Sequence, residues 1–332
     1  MKKFLKYYLL ISAVCFWHID SHAETKDLSP QQHYEQMQRK LATGWNTWDT
    51  RSALTHVLLP YGAAIDLHVI DGKGIRKNSF TIGSGLLHAG PHTYDGKYTD
   101  ISLRWNDQKL RIESSADSLE NIIRITPLEG NNPEGKIIVV LKGVWQRDVK
   151  IQVNGQLFQF RPGNLKQEIK GQAYGKWVKS ERNEITFSTQ EPITICCGSD
   201  IEPVKAQNKL RESADRFVNN NKKQYGDDYE VYNAMQNVLS WDNIYDPTIR
   251  KVITPVSRDW NINWSSNPNY GGFVLFCWDS YFASMMFSAG NRELAYANAV
   301  EITKSITESG FVPNFYSGND YKSRDRSQPP VG

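Results

Sequence analysis

Residues 271–282 read Gly-Gly-Phe-Val-Leu-Phe-Cys-Trp-Asp-Ser-Tyr-Phe, an apolar run that leads into a tryptophan, a carboxylate and two aromatic residues. Two shorter motifs follow along the chain: Gly-Phe-Val-Pro-Asn at 310–314 and Arg-Ser-Gln-Pro-Pro at 326–330. An indole offers apolar surface and one N–H donor, and a carboxylate accepts two O–H donors at once. The occurrence of the three motifs in this order is a specific feature of the sequence.

The N-terminus has the pattern of a secretory signal. Three lysines precede an apolar run at 9–17, and Ser21-His22-Ala23 forms a small-x-small cleavage site. The alternative, an uncleaved membrane anchor, is disfavoured because the apolar run is too short for a membrane span. We therefore expect residues 1–23 to be removed and the mature protein to be periplasmic or secreted.

The mature chain is close to neutral. Residues 1–23 contain three lysines and one aspartate, so their removal leaves 36 Lys and Arg against 35 Asp and Glu, a formal charge of +1. Such a balance exerts no general attraction on nucleic acid or anionic membrane, and we expect neither as a partner. Cys196, Cys197 and Cys277 remain, without the spacing of metal ligands. We expect no cofactor and no metal, and the sequence carries no signal for an oligomeric state.

Short alternating segments between Gly44 and Cys197 predict an antiparallel β-sandwich. A helix is predicted before them, within 24–43, so that 24–200 forms the first domain. Three hairpins are expected. In the first, a strand at 64–70 leads into the turn Asp71-Gly72; in the second, a strand at 98–105 pairs with one at 110–112. In the third, strands at 149–153 and 157–160 flank the turn Asn154-Gly155. Asn-Gly is typical of a type I′ turn.

Helical spacing replaces this alternation after Asp200. Residues 201–236 are predicted to be a helical linker with a soft break at 219–221, and 237–332 to begin a helical domain. A helix is expected over 278–288, closed by Gly290. Asn291 is expected to cap a further helix that runs to Ser309-Gly310. Its inner face is predicted to contain Ala295, Ala299, Ile302 and Ile306.

The three motifs resemble the sugar pocket of the trehalase-like glycoside hydrolases, the inverting (α/α)6-barrel enzymes of families 37 and 63. The resemblance implies an N-terminal antiparallel β-sandwich followed by the first helices of an (α/α)6 barrel. Trehalases proper carry an arginine after Gly-Gly, whereas Phe273 stands there in this chain. That departure favours the family-63-like group, which includes α-glucosidases and mannosylglycerate hydrolases.

The resemblance also implies roles for individual residues in binding an oligosaccharide or disaccharide. Trp278 and Asp279 match the Trp-Asp pair of the −1 sugar subsite, in which the carboxylate accepts from vicinal hydroxyls and the indole walls the ring. Asn314, Arg326 and Gln328 match further hydroxyl partners. Candidates for stacking at the pocket mouth are Phe273, Trp260, Trp264 and Tyr270.

Each of these residues also has a purely structural interpretation. Trp278 could belong to the core, and Asp279 could be an N-terminal helix charge favoured by the helix dipole. Asn314 could be a turn residue after Pro313, and Arg326 could belong to a solvated basic loop. The presence of all three motifs in order favours the sugar site.

The family's general acid and base both lie after the Arg-Ser-Gln-Pro-Pro loop. Asp320, in Ser-Gly-Asn-Asp, precedes that loop and has an ordinary turn composition, so we assign no catalytic residue in this chain. Twelve barrel helices of about 11–12 residues need about 130–145 positions, whereas 237–332 supplies 96. We therefore expect an incomplete barrel and an inactive fragment.

The functional expectation is an exported glycoside hydrolase that acts on α-linked glucosides or related oligosaccharides by an inverting mechanism. Its acid and base are expected beyond Gly332. Trehalose or an α-mannoside is an alternative substrate. A non-catalytic carbohydrate-binding remnant or scaffold is the alternative function.

Overall fold

The computed structural model describes residues 28–198, 201–258, 273–317 and 321–329. The described residues up to Met37 form one unit, and those from Gln38 onward form a second. Helix α1 (Pro30–Leu41) begins in the first unit, within the segment predicted to be helical. All the other elements belong to the second unit.

Two antiparallel sheets make up the first half of this unit. The first sheet contains β1 (Gly44–Asn46), β2 (Thr55–Leu59), β3 (Ala63–Ile70), β4 (Arg76–Lys77), β9 (Lys136–Gly143), β13 (Trp177–Glu181) and β14 (Glu184–Ser188). The second contains β5 (Leu87–His92), β6 (Thr99–Trp105), β7 (Gln108–Asp117), β8 (Glu120–Pro127), β10 (Val149–Asn154), β11 (Leu157–Pro162), β12 (Ile169–Tyr174) and β15 (Ile193–Cys197). The strand order is β1-β2-β3-β9-β14-β13 in the first sheet, with β4 beside β3, and β10-β11-β12-β15-β8-β7-β6-β5 in the second.

The predicted antiparallel character and the three hairpins are confirmed. The strand β3 ends before the turn at Asp71, β6 pairs with β7, and β10 pairs with β11. The last turn differs from the expected Asn-Gly turn, because Asn154 is still paired with Leu157. The two turn residues are Gly155 and Gln156, and of these only Gly155 has a positive φ, +60°. Glycine is suited to that position because it has no Cβ to clash.

One hydrophobic cluster joins the inner faces of both sheets, which fits the expected sandwich. Leu67 and Val139 come from the first sheet, and Ile112, Ile123 and Ile195 come from the second. Alternate residues along β7 are buried up to Ser114, which is the pattern of a strand with one face in the core. Apolar surface removed from water here stabilises the fold by about 25 cal/mol per Å².

The strands β2 and β3 of the first sheet are buried on both faces, which the sequence did not predict. Val57, Leu59 and Ala64 belong to a second cluster that also contains Ile244, Phe287 and other residues of the helical half. Seven of the eight residues of β3 are buried, including the polar Asp66 and His68, whereas β13 is mostly exposed.

The helical half contains four α-helices and four short strands in the described ranges. The helices are α2 (Pro203–Tyr225), α3 (Tyr229–Asp242), α4 (Cys277–Ser288) and α5 (Arg292–Thr303). The strands β16 (Ile244–Asp246) and β17 (Lys251–Ile253) pair with each other, as do β18 (Val274–Phe276) and β19 (Phe315–Ser317). None of the helices in the described ranges combines the length and apolar character that a membrane crossing requires.

The predicted break at 219–221 is wrong, because α2 continues to Tyr225 and ends at Gly226, whose φ is +59°. The amide of Asn221 donates to Oδ1 of Asn233 on α3 at 2.7 Å, so a tertiary contact offsets the low helix propensity of asparagine.

The predicted cap of α5 is confirmed, since Oδ1 of Asn291 accepts from the backbone of Leu294 at 3.0 Å. The predicted end of α5 is wrong by six residues, because the helix stops at Thr303 and Ile306 lies outside it. Of the predicted inner face only Ile302 is buried, and the other buried residues of α5 are Leu294, Ala297, Asn298 and Glu301.

Cys196 and Cys197 are packing residues at the end of β15. Both thiols are buried and free, as is Cys277. Cys197 belongs to the cluster between the sheets, whereas Cys196 faces the opposite side and packs with Ala206 and Leu210 of α2. Burial raises the pKa of the Cys196 thiol to about 11, so this group stays a thiol at neutral pH.

Candidate functional site

The strands β18 and β19 bring the first two motifs together. They pair antiparallel, with Val274 opposite Ser317 and Phe276 opposite Phe315. The residue after β18 is Cys277, the first of α4, and the residue before β19 is Asn314. The pairing therefore places the Trp-Asp dipeptide at the start of α4 beside the end of the Gly-Phe-Val-Pro-Asn motif.

The backbone of Asn314 connects all three motifs. Its carbonyl accepts from the backbone N–H of Cys277 at 3.0 Å, and its own N–H lies 3.1 Å from the carbonyl of Arg326. The same N–H also donates to Oγ of Ser323 at 2.7 Å, and this hydroxyl donates to the Arg326 carbonyl at 3.2 Å. One residue thus holds the start of α4 on one side and the Arg-Ser-Gln-Pro-Pro loop on the other.

Gln328 completes the connection between the first and third motifs. Its side-chain oxygen Oε1 accepts from the backbone N–H of Trp278 at 2.8 Å. This N–H belongs to the first turn of α4, where backbone donors have no partner within the helix. Gln328 therefore acts as a cap supplied from 50 residues away.

Two exposed aromatic rings lie on the first turns of α4. Trp278 is 39% exposed, and its ring centroid lies 6.2 Å from that of Phe282, which is also exposed. The two residues are four positions apart and so lie on the same helix face. Asp279 is exposed beside them in the first turn, where the helix dipole favours a negative charge. The core interpretation of Trp278 does not agree with this exposure.

A second aromatic row lies along the strand pair. The ring of Phe315 is 5.9 Å from Phe276 and 5.8 Å from Tyr321. Phe315, Tyr321 and Arg326 line a cavity of about 510 Å³. This volume is within the range of small-molecule sites. Arg326 is exposed, as the solvated-loop interpretation requires, and it also faces this cavity.

Phe273 occupies a different environment from the other predicted residues. Its side chain is 2% exposed and belongs to the core cluster beneath the helices. Its ring centroid lies 6.3 Å from that of Tyr316, the central residue of β19. Phe273 thus lies behind the strand pair.

Four further candidates from the sequence lie outside the described residues: Trp260, Trp264, Tyr270 and Asp320.

The sequence analysis missed several residues that build this region. Ser323 is buried and bridges two motifs, and Phe282 and Phe315 contribute exposed or half-buried rings. The four-residue spacing of Trp278 and Phe282 was a signal that could have identified the second ring. No such signal exists for Ser323, because its role depends on how the loop folds back.

A carboxyl group with an unusual environment lies elsewhere in the helical half. Burial raises the pKa of Asp246 to about 6, although backbone N–H groups of Thr248 and Ile249 oppose the shift. Its Oδ1 accepts from Thr248 at 2.7 Å, which closes the turn between β16 and β17. A turn-forming role accounts for this contact. Within the described ranges, no group of three or more His, Cys, Asp or Glu side chains has the arrangement of a metal site.

No protein-family model matches the sequence, and no curated protein matches it. Solved structures that the comparison matches to this chain include a bacterial glucoamylase complexed with acarbose, at 13% identity and a TM-score of 0.36, covering 82% of this chain and 51% of that one. A glycosyl hydrolase of family 92 is similar at 9% identity and a TM-score of 0.27, covering 63% of this chain and 40% of that one. The present chain thus spans about half the length of the glucoamylase. At these scores the neighbours, both glycoside hydrolases, define neither substrate nor site residues here.

Proposed function

We propose that this chain supplies the −1 sugar subsite of an exported glycoside hydrolase that cleaves α-linked glucosides or related oligosaccharides with inversion. The observation that carries the proposal is the junction at Asn314. Its backbone holds the start of α4 and the Arg-Ser-Gln-Pro-Pro loop together, at 3.0 and 3.1 Å. This junction supports the proposal that side chains from the three motifs, which can stack on a sugar and bond its hydroxyls, share one surface.

Each residue of this surface has a chemical role in the proposal. The exposed indole of Trp278 covers one face of the sugar ring, since aromatic rings pack well against C–H groups. Asp279 accepts from two neighbouring hydroxyls, which are charge-assisted bonds. Asn314 and Gln328 contribute amides, and Arg326 a fixed fork of donors. Phe273 packs behind the strand pair and supports it.

Hydrolysis with inversion needs two carboxyl groups about 6.5–9.5 Å apart, one as general acid and one as general base. In the enzymes that this chain resembles, both follow the Arg-Ser-Gln-Pro-Pro loop. We assign neither role to Asp279, because an exposed carboxylate in a first helical turn is suited to accepting hydrogen bonds. By this resemblance, both groups are proposed to lie beyond Gly332. The proposal that the protein is exported is based on the secretory signal at residues 1–23. Trehalose and α-mannosides are the alternative substrates.

A second candidate function is sugar binding without catalysis. Asp279 is the only carboxylate among the six predicted binding residues, so the described surface can recognise a sugar without supplying an acid–base pair. The two functions share the same binding step and differ only in turnover.

Calorimetric titration of the 332-residue chain with maltose, trehalose and methyl α-mannoside tests the binding step. We expect at least one of these to bind, and Trp278→Ala to abolish the binding. Trp177→Ala is the matched control, because the indole of Trp177 is 47% exposed on β13, in the first sheet. Equal effects of the two substitutions, or no binding at all, would refute the proposal. Release of nitrophenol from aryl α-glucosides by this chain alone would place the acid and base within it.

A further inference from the structure

A second large cleft lies between the helices α2 and α3 and the ends of strands β5 and β7. Its volume is about 640 Å³, within the range of small-molecule and sugar sites. None of the six predicted sugar-site residues lines it. What this cleft binds is independent of the function proposed for the surface at Trp278.

Carboxamide side chains dominate the helical wall of the cleft. Each helix contributes three of them from one face: Asn220, Asn221 and Gln224 from α2, and Asn233, Gln236 and Asn237 from α3. Each carboxamide carries two N–H donors and one carbonyl acceptor. A sugar hydroxyl donates one bond and accepts others, so adjacent carboxamides match a row of hydroxyls.

Protein contacts orient several of these amides in advance. Asn221 donates to Oδ1 of Asn233 at 2.7 Å, and Gln224 donates to the carbonyl of Ala289 at 3.0 Å. Side chains that are already ordered lose less conformational entropy when a ligand binds.

Gln236 provides the most specific feature of the cleft. Its Nε2 donates to the carbonyl of Met286 at 2.8 Å, which fixes the direction of the amide. Its Oε1 is buried and accepts no hydrogen bond from the described residues, and the whole residue is 7% exposed. A buried acceptor without a donor costs about 1–3 kcal/mol. A ligand hydroxyl at this position would supply the missing donor.

The absence of a side chain at Gly290 keeps the space around this acceptor open. A Cβ at Gly290 would lie 2.7 Å from the hydroxyl of Tyr225 and 3.0 Å from Oε1 of Gln236. The ring of Tyr225 stacks on Tyr232, with centroids 4.8 Å apart and planes 6° from parallel. The stack holds the Tyr225 hydroxyl beside the acceptor, so donor and acceptor converge on one point.

Two lysines that line the cleft are paired with carboxylates of the protein. Nζ of Lys97 lies 2.9 Å from Asp95, and Nζ of Lys209 lies 2.5 Å from Glu120. Paired cations attract an anionic ligand only weakly. This argues against a phosphate or carboxylate site.

Two further lining residues bear on the charge of the ligand. The guanidinium of Arg216 donates to Oγ of Ser213 at 2.9 Å and lies 3.9 Å from the carboxylate of Glu212. Burial and the charge of Arg258 lower the pKa of His92 to about 3, so its imidazole is neutral at physiological pH. Both ring nitrogens of His92 already have protein partners, Thr47 and Thr93.

We infer that this cleft binds a neutral polyhydroxylated ligand, a short oligosaccharide, through the carboxamides of α2 and α3 and the tyrosine beside Gly290. The oligosaccharide lies along the row of amides, and one of its hydroxyls donates to Oε1 of Gln236. The cleft thereby gives the protein a second point of attachment to a glycan.

Calorimetric titration of the full chain carrying Trp278→Ala tests this inference, because that background removes the contribution of the surface at Trp278. The probes are maltohexaose, cellohexaose and mannohexaose, with tetraglycine as a neutral non-sugar control. We expect one hexasaccharide to bind and tetraglycine not to bind. Binding of tetraglycine alone, or of none of the probes, would overturn the inference.

Single substitutions in the same background locate the binding. Asn220→Ala removes a lining amide, and we expect about fivefold weaker binding, equivalent to one neutral hydrogen bond of about 1 kcal/mol. Asn219→Ala is the matched control, because Asn219 is the exposed neighbour on the same helix and does not line the cleft. Gly290→Ala fills the space beside Gln236 and should weaken binding at least as much. Equal affinities for Asn220→Ala and Asn219→Ala would show that the sugar binds elsewhere.

A failure of the proposed function would look different. It would leave the binding of maltose, trehalose and methyl α-mannoside by the unsubstituted chain insensitive to Trp278→Ala, whereas the hexasaccharide would still respond to Asn220→Ala. Circular dichroism and thermal melts of each variant establish that a loss of binding is not a loss of folding.

Discussion

The backbone N–H of Trp278 donates to Oε1 of Gln328 at 2.8 Å, so the first turn of α4 is capped by a residue 50 positions further along the chain. The cap comes from the loop that also contributes Arg326 to the neighbouring cavity. The first turn of α4 and the Arg-Ser-Gln-Pro-Pro loop therefore stabilise each other. A substitution in the loop should alter the stability of the helix start.

The first prediction tests this dependence with two substitutions of Gln328. Gln328→Ala removes the acceptor, and we expect faster hydrogen exchange of the Trp278 amide and a loss of about 0.5–1.5 kcal/mol in local stability. Gln328→Glu keeps an acceptor oxygen and adds a charge that the helix N-terminus favours, so protection should be retained. Exchange measured by mass spectrometry or NMR distinguishes the two. Equal protection in both variants would mean that the contact does not stabilise the helix start.

The second prediction concerns Asp279. Asp279→Asn keeps the shape of the side chain but replaces a charged double acceptor with a neutral amide. Hydrogen bonds to charged groups contribute about 1.5–3 kcal/mol and neutral ones nearer 1. The loss of about one or two kcal/mol corresponds to roughly five- to thirtyfold weaker sugar binding. Asp215→Asn, at an exposed position of α2, is a suitable control for charge alone. Unchanged affinity in Asp279→Asn would leave this carboxylate only a helix-terminus role.

The third prediction concerns the contact between the second sheet and α3. The indole of Trp241 is 3% exposed and donates to the carbonyl of Gly90 at 2.7 Å, with its ring 4.5 Å from His92. Trp241→Phe leaves that carbonyl without its donor. We therefore expect the free energy of unfolding to fall by about 1–3 kcal/mol.

Trp177→Phe is the control for this prediction. It also removes an indole hydrogen bond, to Oγ of Ser180 at 3.1 Å, but at an exposed position, where water can replace the lost bond. We expect the free energy of unfolding of this variant to change by less than about 0.5 kcal/mol. Urea titration gives both values, and similar losses in the two variants would contradict the assigned role of Trp241.

The fourth prediction concerns the acid sensitivity of the first sheet. Burial alone would raise the pKa of Asp66, but hydrogen bonds from His68, Lys142 and Thr55 and the charge of Lys142 outweigh it, and the pKa falls to about 2. The distances are 2.9 Å to His68, 2.5 Å to Lys142 and 2.7 Å to Thr55. The ionised form is thus favoured in the folded protein.

The depressed pKa of Asp66 fixes the sign of the pH effect. The stabilisation is complete above the unfolded pKa of 3.8 and is lost as the pH falls through about 2. A difference of about two pKa units corresponds to roughly 2–3 kcal/mol. We expect Asp66→Asn to be less stable than wild type at pH 7 and the difference to shrink between pH 4 and 2. Parallel stability curves for the two proteins over this range would contradict the prediction.

The sequence predicted the strands better than it predicted their environment. Alternation along β7 and β10 and a turn signal between paired segments were enough to place the hairpins. The burial of β3 on both faces depends on the helical half, which covers the outer face of this strand. A local sequence pattern cannot predict such a tertiary contact. The continuity of α2 through Asn221 depends similarly on a partner in α3.

The predicted binding residues were found by their motifs, and the structure adds the contacts that hold those motifs together. The proximity of Cys277, Asn314 and Arg326 follows from hydrogen bonds between backbone groups, which do not depend on the identity of the side chains. Ser323 could not be predicted, because its hydroxyl acquires a role only once the loop brings it to Asn314. The carboxamide cleft was missed for a related reason, since its amides are spread over two helices and look like ordinary solvent-exposed residues in the sequence.

The use of both backbone groups of Asn314 has a consequence for how this surface can change during evolution. Its N–H and C=O hold the loop and the helix start, so its side chain is not needed to maintain the framework. Under the proposed function, a substitution at this position would alter which hydroxyl pattern is preferred while the neighbouring backbone keeps its course. Divergence of substrate preference among descendants of such a chain would then require few compensating mutations.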